Sequence, residues 1–357
     1  MRRVVHLLGP SSGGIRRHVL YLATHPPSGY ETAGIVGPEA LSDFFGEMAF
    51  VPARGLHPWE TLQPHVLHAH GLTAALAALR GRVYRKGLRP RPAVVVTVHT
   101  SMRQTLRSSL PGAQLLPVQM GLWTLGRWII HRADAVIAVS REVAEQVRAD
   151  YTIPPAVDLP RPDTEQRAVI RRKLNTPEET VVVLAVARLH PDKSLDLFIR
   201  ALEGTGAEGW IAGEGPERER LEAAAEDTGV RLLGHQEDVA SVLAAADIFA
   251  LPAVAESYGF AVLEAVAAGL PVVATRTGAI PELVEDAGIL VEPQDAEAFV
   301  SSVRQLIASP QLRRQLMTKA RERTLPTPLE SVVRLGEVYD QVSAMRESRR
   351  PTKPRRP

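Results

Sequence analysis

The sequence predicts an α/β protein built from two doubly wound parallel sheets, and three observations carry this prediction. The chain has 357 residues, which is more than one hydrophobic core normally organises. Short, continuous apolar runs rich in β-branched residues alternate with helical patterns in both halves, as in parallel sheets that helices cover on both faces. Four prolines within residues 152–163 separate the halves. Because this stretch has neither helical nor strand periodicity, it marks a domain boundary.

The apolar runs define the predicted strands and the domain limits. In the first half the strands are Val4–Leu8, Val66–Ala69, Val94–Val98 and Ala135–Val139, with helices at Ile15–Thr24 and Glu142–Tyr151. In the second half they are Val181–Val186, Gly209–Ala212, Val230–Leu233, Ile248–Leu251 and Val272–Ala274, after a helix at Glu165–Leu174. We therefore predict Rossmann-like domains at 1–155 and 156–328. A last helix over 329–345 is expected to pack back on the first domain, and the basic tail 346–357 to be disordered.

The composition excludes several kinds of chemistry. There is no cysteine, so a disulfide, a thiolate zinc site and a cysteine nucleophile are ruled out. No run approaches the roughly 18 apolar residues of a membrane span, and the apolar run at the N-terminus is too short for a signal peptide. The net charge of +2 gives no general bias toward nucleic acid. We expect a cytoplasmic protein.

A glycine-rich loop follows the first predicted strand. Ligands of open α/β sheets bind beyond the carboxyl ends of the strands, so the residues after each strand are the candidates for a site. The loop begins at Gly9 and opens a helix at Ile15. Gly13 and Gly14 let backbone N–H groups approach an anion at the helix N-terminus. A tight turn without a ligand explains the same glycines equally well.

Three histidines lie at strand ends in the first half. His99 follows Val94–Val98, where we expect its ring to face a ligand rather than the core and to donate to a hydroxyl or a leaving oxygen near neutral pH. His68 and His70 have the spacing that puts both on one face of a strand, and a capping or core-edge role is favoured for His68. Because no third ligand is apparent at suitable spacing, no zinc site is expected.

Two cations follow the first strand of the second half. Arg188 and Lys193 lie where that strand passes into a helix, and two cations at such a turn suit a diphosphate whose charge must be neutralised as it departs. We favour this role over a solvated charge pair. The turn Gly213–Pro216 is expected to support the site rather than to react. Gly234 and His235 follow the next strand, in a position that suits a flat base.

The segment from Glu256 to Glu264 is the strongest functional signal. The pattern predicts a helix over Phe260–Ala268, and the backbone N–H groups at its start are then placed to hold phosphate. Those N–H groups belong to Gly259, Phe260, Ala261, Val262 and Leu263. One carboxylate suits sugar hydroxyls and the other a ribose diol. Glu264 lies within an apolar run, where a carboxylate requires partners, so two surface carboxylates explain the pattern poorly.

Taken together, these residues resemble the retaining glycosyltransferase family 4, whose GT-B architecture has two Rossmann-like domains facing a central cleft. The resemblance covers about residues 1–345 and is most specific between Asp247 and Gly278, around Glu256-Ser-Tyr-Gly-Phe. The other matching segments are Gly13-Gly14, Arg132 to Ser140, Arg188 with Lys193, and Gly213 to Pro216.

The resemblance implies roles for the residues of the second half. Arg188 and Lys193 would hold the diphosphate, Glu256 would contact the donor sugar and Glu264 the ribose. The reaction implied is transfer of a hexosyl group from a nucleotide diphosphate with retained anomeric configuration. No metal or other cofactor is implied, and the sequence contains no Asp-x-Asp motif.

For the first half, the resemblance implies contact with the reacting groups. Gly14 would approach the diphosphate or the acceptor, and His99 would lie beside the reacting sugar. The acceptor stays open, with a lipid-linked molecule and a glycan both compatible with a role in cell-envelope or glycan biosynthesis. Two other functions also remain: a nucleotide-sugar epimerase on the same fold, which would act on the donor without an acceptor, and a non-catalytic sugar-nucleotide-binding protein.

A basic stretch suggests a surface contact. Arg80–Arg91 is rich in arginine and lysine and holds no acidic residue, and Leu115–Ile130 nearby is apolar with Trp123 and Trp128. A basic loop beside an amphipathic helix suits an anionic membrane surface, here the inner face of the cell membrane. A solvated loop beside a core helix is the equal alternative. Nucleic-acid binding is not expected without stacking platforms.

Overall fold

The computed structural model describes residues 1–11, 13–46, 48–53, 60–84, 91–100, 116–159 and 164–348. The chain divides into two compact units, Met1–Asp158 with Pro326–Pro357 and Leu159–Leu325. One contains a seven-stranded sheet and the other a six-stranded sheet. The predicted α/β class with two Rossmann-like parallel-sheet domains is confirmed.

The first unit contains strands β1–β7. They are β1 (Arg2–Leu8), β2 (Tyr30–Gly37), β3 (Phe50–Pro52), β4 (Val66–His70), β5 (Ala93–Val98), β6 (Ala135–Ala138) and β7 (Tyr151–Thr152). Its helices up to β7 are α1 (Gly14–Thr24), α2 (Ser42–Phe45), α3 (Leu72–Tyr84), α4 (Leu116–Arg132) and α5 (Arg141–Val147). The strand order is β3-β2-β1-β4-β5-β6-β7, and neighbouring strands are parallel. The order reverses between β1 and β4, the position at which doubly wound sheets bind ligands.

The second unit contains strands β8–β13. They are β8 (Val182–Val186), β9 (Glu208–Ala212), β10 (Val230–Gly234), β11 (Ile248–Leu251), β12 (Val272–Thr275) and β13 (Gly288–Val291). The helices are α6 (Thr164–Lys173), α7 (Leu195–Leu202), α8 (Arg218–Ala225), α9 (Val239–Ala245), α10 (Phe260–Ala267), α11 (Ile280–Val284), α12 (Ala296–Ala308) and α13 (Pro310–Glu322). The parallel order β10-β9-β8-β11-β12-β13 reverses between β8 and β11.

The last helix, α14 (Pro328–Ser348), belongs to the first unit. Its residues Leu335, Val338 and Tyr339 are buried in an apolar cluster that contains Val4 and Val95 of the sheet. Burial of such side chains is the main favourable contribution to folding. The helix therefore completes the core of the unit that the chain left near residue 158. Among the described residues, no helix has the length and apolar character that crossing a bilayer requires.

Three predicted segments differ from the structure. The helix predicted over Glu142–Tyr151 ends at Val147, because Arg148 takes a left-handed conformation with φ of 53°. The chain then returns to the sheet and β7 pairs with β6. The basic stretch predicted as a loop from Arg80 begins inside helix α3, which runs to Tyr84; residues 85–90 lie outside the described residues. The described part of the predicted tail, 346–348, is helical, and the rest lies outside the described residues.

A buried ion pair holds three elements of the second unit together. Arg171 on α6 is fully buried, and its guanidinium donates to Asp247 Oδ2 at 2.7 Å and to the carbonyl of Ala245 at 3.0 Å. Asp247 also accepts from the backbone N–H of Val182 at 2.8 Å and from Arg167 at 2.9 Å. This carboxylate therefore joins α6 to the starts of β8 and β11.

Asp247→Ala is expected to lower the free energy of unfolding of the second unit by about 3–5 kcal/mol, since it leaves the buried guanidinium of Arg171 without its carboxylate. Urea unfolding followed by circular dichroism measures this loss. The matched control is Asp286→Ala, which removes an exposed carboxylate that pairs with Lys319 at 3.0 Å, and we expect its unfolding midpoint to stay close to that of the wild type. Equal unfolding midpoints for the two variants would show that the Arg171–Asp247 pair does not stabilise the second unit.

Candidate functional site

The strand order of the second sheet reverses between β8 and β11, and we call this position its switch point. It brings together two segments that are far apart in sequence. One segment follows β8 and runs from Ala187 to Lys193; the other follows β11 and runs from Pro252 to Gly259. The N–H of Val254 donates to the carbonyl oxygen of Asp192 at 2.9 Å and ties the two segments together. The segment with Arg188 and Lys193 and the segment with Glu256 therefore lie side by side at the carboxyl ends of the strands, where such sheets bind ligands.

Lys193 and Glu256 form an ion pair at this point. Lys193 Nζ lies 2.6 Å from Glu256 Oε1, 3.6 Å from Asp192 Oδ2 and 3.5 Å from the carbonyl oxygen of Ala255. Lys193 is 6% exposed, and a buried ammonium is stable only with such partners. The ammonium has lost most of its water, so its interactions with these oxygens are only weakly screened.

Arg188 has a different environment. Its side chain is 57% exposed and its guanidinium lies 3.8 Å from Asp192 Oδ2. The short 3₁₀ turn Pro191–Lys193 follows it, capped by the side chain of His190. The segment after β8 thus presents one open and one buried cation. Two cations on one short segment are the kind of group that suits an anion with two charged groups, such as a diphosphate.

Helix α10 follows the Glu256 segment and carries Glu264. Glu264 is 4% exposed, as expected from the apolar run around it. Gly259 precedes the helix with φ of 86°, a conformation that favours glycine. The N–H of Leu263 donates to the carbonyl oxygen of Gly259 at 2.9 Å. The prediction that Leu263 offers its N–H to phosphate is therefore wrong, whereas Phe260, Ala261 and Val262 lie in the first turn, where N–H groups have no partner four residues earlier in the helix.

Gly278 shapes the loop that carries Glu256. It has φ of 56°, and a Cβ at this position would lie 2.4 Å from the carbonyl oxygen of Glu256 and 2.5 Å from that of Ser257. Both obstacles are backbone atoms, so a side chain fits only if the loop moves. The glycine lets two backbone segments approach closely enough to fix the Glu256 carboxylate.

Gly278→Ala is expected to weaken binding of the nucleotide sugar that the sequence predicts as ligand by roughly 10-fold or more, because the shifted Glu256 loop loses its alignment. The matched control is Gly206→Ala, which imposes the same left-handed strain at φ of 73° but meets no atom within 4 Å. Gly206→Ala is expected to lose about 1–2 kcal/mol of stability from the left-handed conformation, and Gly278→Ala more, because its loop must also move. Isothermal titration with the nucleotide sugar compares the affinities of the two variants. Equal affinities would contradict the claim that Gly278 positions the Glu256 loop.

Gly234 and His235 lie apart from the ion pair. Gly234 ends β10, the edge strand, which is separated from β8 by β9. Its carbonyl oxygen accepts from the N–H of Gly213 at 2.8 Å. The structure thus joins Gly234 to the turn Gly213–Pro216, whose Gly213 packs against the carbonyl oxygen of Ala187 so closely that a Cβ would lie 1.8 Å away. This turn therefore supports the segment after β8, and its role at a ligand site stays a prediction.

In the first unit, the glycine loop and His99 both follow strands near the switch point. Gly13 has φ of 55° and directly precedes α1, which starts at Gly14. His99 follows β5 and is only 6% exposed, so its ring is buried, and its position beside a ligand stays a prediction. Burial holds the pKa of His99 well below its usual range. The ring is therefore neutral at pH 7, and in this state one ring nitrogen still carries an N–H that can donate.

His99 belongs to a buried histidine cluster that the sequence did not reveal. Its members are His6, His18, His68, His70 and His99. β1 and β4 are neighbours, and their register places His6 opposite His68. His68 Nδ1 lies 2.7 Å from the hydroxyl of Tyr339 and its Nε2 lies 2.7 Å from Thr97 Oγ1, which agrees with the core role favoured for it.

The cluster corrects the reasoning on metal ligands. Ligand nitrogens of His6, His68 and His70 lie within 4.8 Å of one another, and so do those of His18, His70 and His99. The statement that no third ligand accompanies the histidine pair is therefore wrong. The histidines that were missed, His6 and His18, come from β1 and α1, and only the fold places them beside His70.

Solved structures show the class of fold. The chain superposes on sucrose-phosphate synthase from Thermosynechococcus elongatus with a TM-score of 0.77, 20% identity and coverage of 96% of this chain and 100% of that one. It superposes on Anabaena Alr3699/HepE in complex with UDP-glucose with a TM-score of 0.75, 17% identity and coverage of 98% and 100%. The fold is that of the GT-B glycosyltransferases.

Sequence relatives define the family. Residues 166–323 match the family described as Glycosyl transferases group 1, and residues 11–159 match Glycosyltransferase Family 4. A D-inositol 3-phosphate glycosyltransferase of Xylanimonas cellulosilytica is 30% identical over 285 residues, 72% of this chain and 68% of the relative. The lipopolysaccharide core biosynthesis glycosyltransferase LpsE of Rhizobium meliloti is 35% identical over 162 residues, 43% of this chain and 48% of the relative. Several such matches span about half of the relative's length. The chain belongs to glycosyltransferase family 4.

Proposed function

We propose that the protein is a retaining glycosyltransferase that moves a sugar from a nucleoside diphosphate to an acceptor without a metal ion. The observation that carries this proposal is the Lys193–Glu256 pair, with a nitrogen–oxygen distance of 2.6 Å at the switch point of the second sheet. A fixed cation beside a carboxylate suits a sugar diphosphate, since the cation attracts phosphate and the carboxylate accepts from sugar hydroxyls.

Each residue of this site has a separate role in the proposal. Lys193 and Arg188 bind the diphosphate, helped by the N–H groups of the first turn of α10. Glu256 binds hydroxyls of the donor sugar and Glu264 the ribose diol. In the first unit, His99 contacts the reacting sugar, and Gly13 and Gly14 let the backbone approach the diphosphate or the acceptor.

The reaction is a front-face substitution. The acceptor hydroxyl oxygen forms a bond to the anomeric carbon on the face from which the bond to the phosphate oxygen breaks. The departing phosphate oxygen takes the proton of the acceptor hydroxyl, so charge and atoms balance. Lys193 and Arg188 stabilise the negative charge that grows on the diphosphate, which is the largest contribution expected from the protein.

A thermal-shift series tests donor binding. UDP, GDP and ADP and their sugars are compared, beginning with GDP-mannose and UDP-glucose. GDP-mannose is the donor of a Mycolicibacterium smegmatis mannosyltransferase that is 34% identical over 232 residues, and UDP-glucose is bound to the structural neighbour HepE. At a hundredfold excess over the dissociation constant, the cognate ligand adds about 2.7 kcal/mol of stability. No shift with any nucleotide would sink the proposal.

Acceptor dependence then separates the three candidate functions. A glycosyltransferase releases the nucleoside diphosphate in proportion to added acceptor. An epimerase changes the donor sugar without acceptor and releases no nucleotide. A non-catalytic binding protein gives the thermal shift but no product of either kind. Mass spectrometry of the donor, nucleotide and acceptor pools identifies which of the three occurs.

We further propose a peripheral contact of the first unit with anionic lipid. Leu125 and Trp128 on α4 are 41% and 46% exposed, and the guanidinium of Arg132 lies 5.1 Å from the ring centre of Trp128. An exposed aromatic and aliphatic pair beside a cation is the combination that binds at a lipid headgroup interface.

Trp128→Ala is expected to lower partitioning onto phosphatidylserine-containing vesicles by several-fold, as measured by cosedimentation at low salt. Phe44→Ala is the matched control, because Phe44 is also exposed, at 38%, and also lies under a guanidinium, that of Arg16 at 5.8 Å. The proposed contact would be contradicted if the two variants partition equally. It would also be contradicted if the wild type binds neutral vesicles as well as it binds vesicles that contain phosphatidylserine.

A further inference from the structure

Three histidines of the buried cluster form a continuous hydrogen-bonded chain. His6 Nδ1 lies 3.2 Å from His70 Nε2, and His70 Nδ1 lies 3.1 Å from His99 Nε2. Both distances are those of nitrogen–nitrogen hydrogen bonds. Each ring is at most 6% exposed, so water does not compete for these bonds. His70 is the central member and uses both of its nitrogens within the chain.

The chain requires a fixed direction because its members are neutral. Burial lowers the pKa of His6 to about 3 and holds those of His70 and His99 well below the usual range. A neutral imidazole has one N–H donor and one acceptor nitrogen. If His99 Nε2–H donates to His70 Nδ1, then His70 Nε2–H must donate to His6 Nδ1. The opposite direction reverses the proton position on every ring.

The other two histidines of the cluster lie outside this chain. His68 uses both nitrogens with Tyr339 and Thr97. His18 Nδ1 accepts from the backbone N–H of Ala156 at 2.9 Å, so its proton is on Nε2. His68 belongs to one of the two three-histidine groups and His18 to the other. In each group, therefore, one member has already used its lone pair in a hydrogen bond. A metal ligand needs that lone pair, so the contacts favour a hydrogen-bonded chain over a metal centre.

The far end of the chain has an unused polar atom. His99 Nδ1 is buried and has no hydrogen-bond partner among the described residues. A buried polar atom without a partner is costly, and the cost is removed when a substrate supplies the partner. What His99 offers to that substrate, an acceptor or a donor, depends on the position of its single proton.

We propose that His70, supported by His6, is a positioning residue that fixes His99 as the Nε2–H tautomer, so that Nδ1 accepts a hydrogen bond from a hydroxyl of the sugar substrate. This direction has all three rings in the Nε2–H form, which is the form that neutral histidine prefers in water. The sugar contact rests on the proposed glycosyltransferase function, whereas the tautomer is a property of the free protein.

The tautomer is measured directly by long-range ¹H–¹⁵N correlation spectra of the full chain labelled at histidine. At pH 7 we expect His70 and His99 to show the neutral Nε2–H pattern, with His99 identified by its loss in His99→Gln. An Nδ1–H pattern for His99 in the wild type would overturn the proposal. So would a stoichiometric metal ion found by elemental analysis, with spectra that change on treatment with chelator, since the cluster would then be a metal centre.

Two variants separate positioning from packing. His70→Asn keeps an acceptor oxygen at the place of Nδ1, and His70→Leu keeps the volume but removes the acceptor. We expect His70→Asn to preserve the His99 tautomer and kcat/KM within about threefold, and His70→Leu to give mixed tautomers and roughly 10- to 100-fold lower kcat/KM. Unchanged His99 signals in a folded His70→Leu would overturn the proposal. If the tautomer result holds but no sugar is transferred, only the proposed function fails.

Discussion

Lys193→Ala is expected to lower kcat by roughly 10²- to 10³-fold, which is the loss that follows removal of one preorganised group that stabilises developing charge. Lys193 is buried and is held 2.6 Å from Glu256, so its position does not have to be organised when the donor binds. In the proposed reaction, charge grows on the diphosphate when its bond to the sugar breaks. Without the ammonium, the transition state loses more stabilisation than the bound donor does.

Lys319→Ala is the matched control for this change. Lys319 is also in the second unit and also pairs with a carboxylate, that of Asp286 at 3.0 Å, but it lies on the surface. The two variants carry the same charge change, so a difference between them reports the site alone. Circular dichroism checks that both fold. A kcat for Lys193→Ala within threefold of the wild type would show that the buried cation does not stabilise the leaving group.

The first unit is expected to lose several kcal/mol of stability between pH 7 and pH 5. Burial lowers the pKa of His6 to about 3 and that of His18 to about 4, and the pKa values of His68, His70 and His99 are also well below 6.5. The unfolded chain therefore binds protons that the folded chain does not. The stability is complete above about pH 6.5 and is lost as the pH falls toward the folded-state pKa values.

The size of this loss follows from linkage. One pKa unit corresponds to about 1.36 kcal/mol, so at pH 5 each group that stays neutral in the folded state costs about 2 kcal/mol relative to neutral pH. His6 and His18 alone give about 4 kcal/mol, and the other three histidines lower the stability in the same direction. The second unit has His190 and His235, neither of which is buried, so its stability should change less.

Urea unfolding at pH 8, 6 and 5 measures the two units separately. Trp210 is the one tryptophan of the second unit in the sequence and is fully buried, so a variant with the other three replaced by Phe reports that unit. A second variant that retains only Trp128 reports the first unit. A first unit that is equally stable at pH 5 and pH 8 would contradict the buried neutral cluster.

The sequence predicted the parts of the fold whose signal is local. Continuous apolar runs mark β4, β5, β8 and β11 because these strands are covered on both faces. The rule that ligands lie beyond the carboxyl ends of strands then led to Lys193 and Glu256, which the structure brings into contact. Both residues follow strands that flank the switch point, so the prediction needed only the two strand ends.

Other parts depend on tertiary structure. The strand Tyr30–Gly37 was missed because its first half carries Glu31 and Thr32, which are only partly buried, so no continuous apolar run marks it. The early end of α5 depends on a left-handed arginine, Arg148, and a non-glycine residue in that conformation has no sequence signature.

The histidine cluster shows the same limit at the level of the site. His6 lies inside a strand and His18 inside a helix, where each reads as an ordinary polar interruption. Only the parallel pairing of β1 with β4 puts His6 opposite His68. A search for histidines on every strand next to the switch point, rather than only at strand ends, would have found His6.

Hydrogen–deuterium exchange of the full chain tests the central claim most directly, because it locates the bound nucleotide. The nucleoside diphosphate with the largest thermal shift is added at saturation, and exchange is compared with that of the free protein. We predict slower exchange in residues 188–193 and 256–263, with little change in β9 or β13. Protection confined to the first unit, or no protection at a concentration that gives the full thermal shift, would contradict the assignment of the donor site to the second unit.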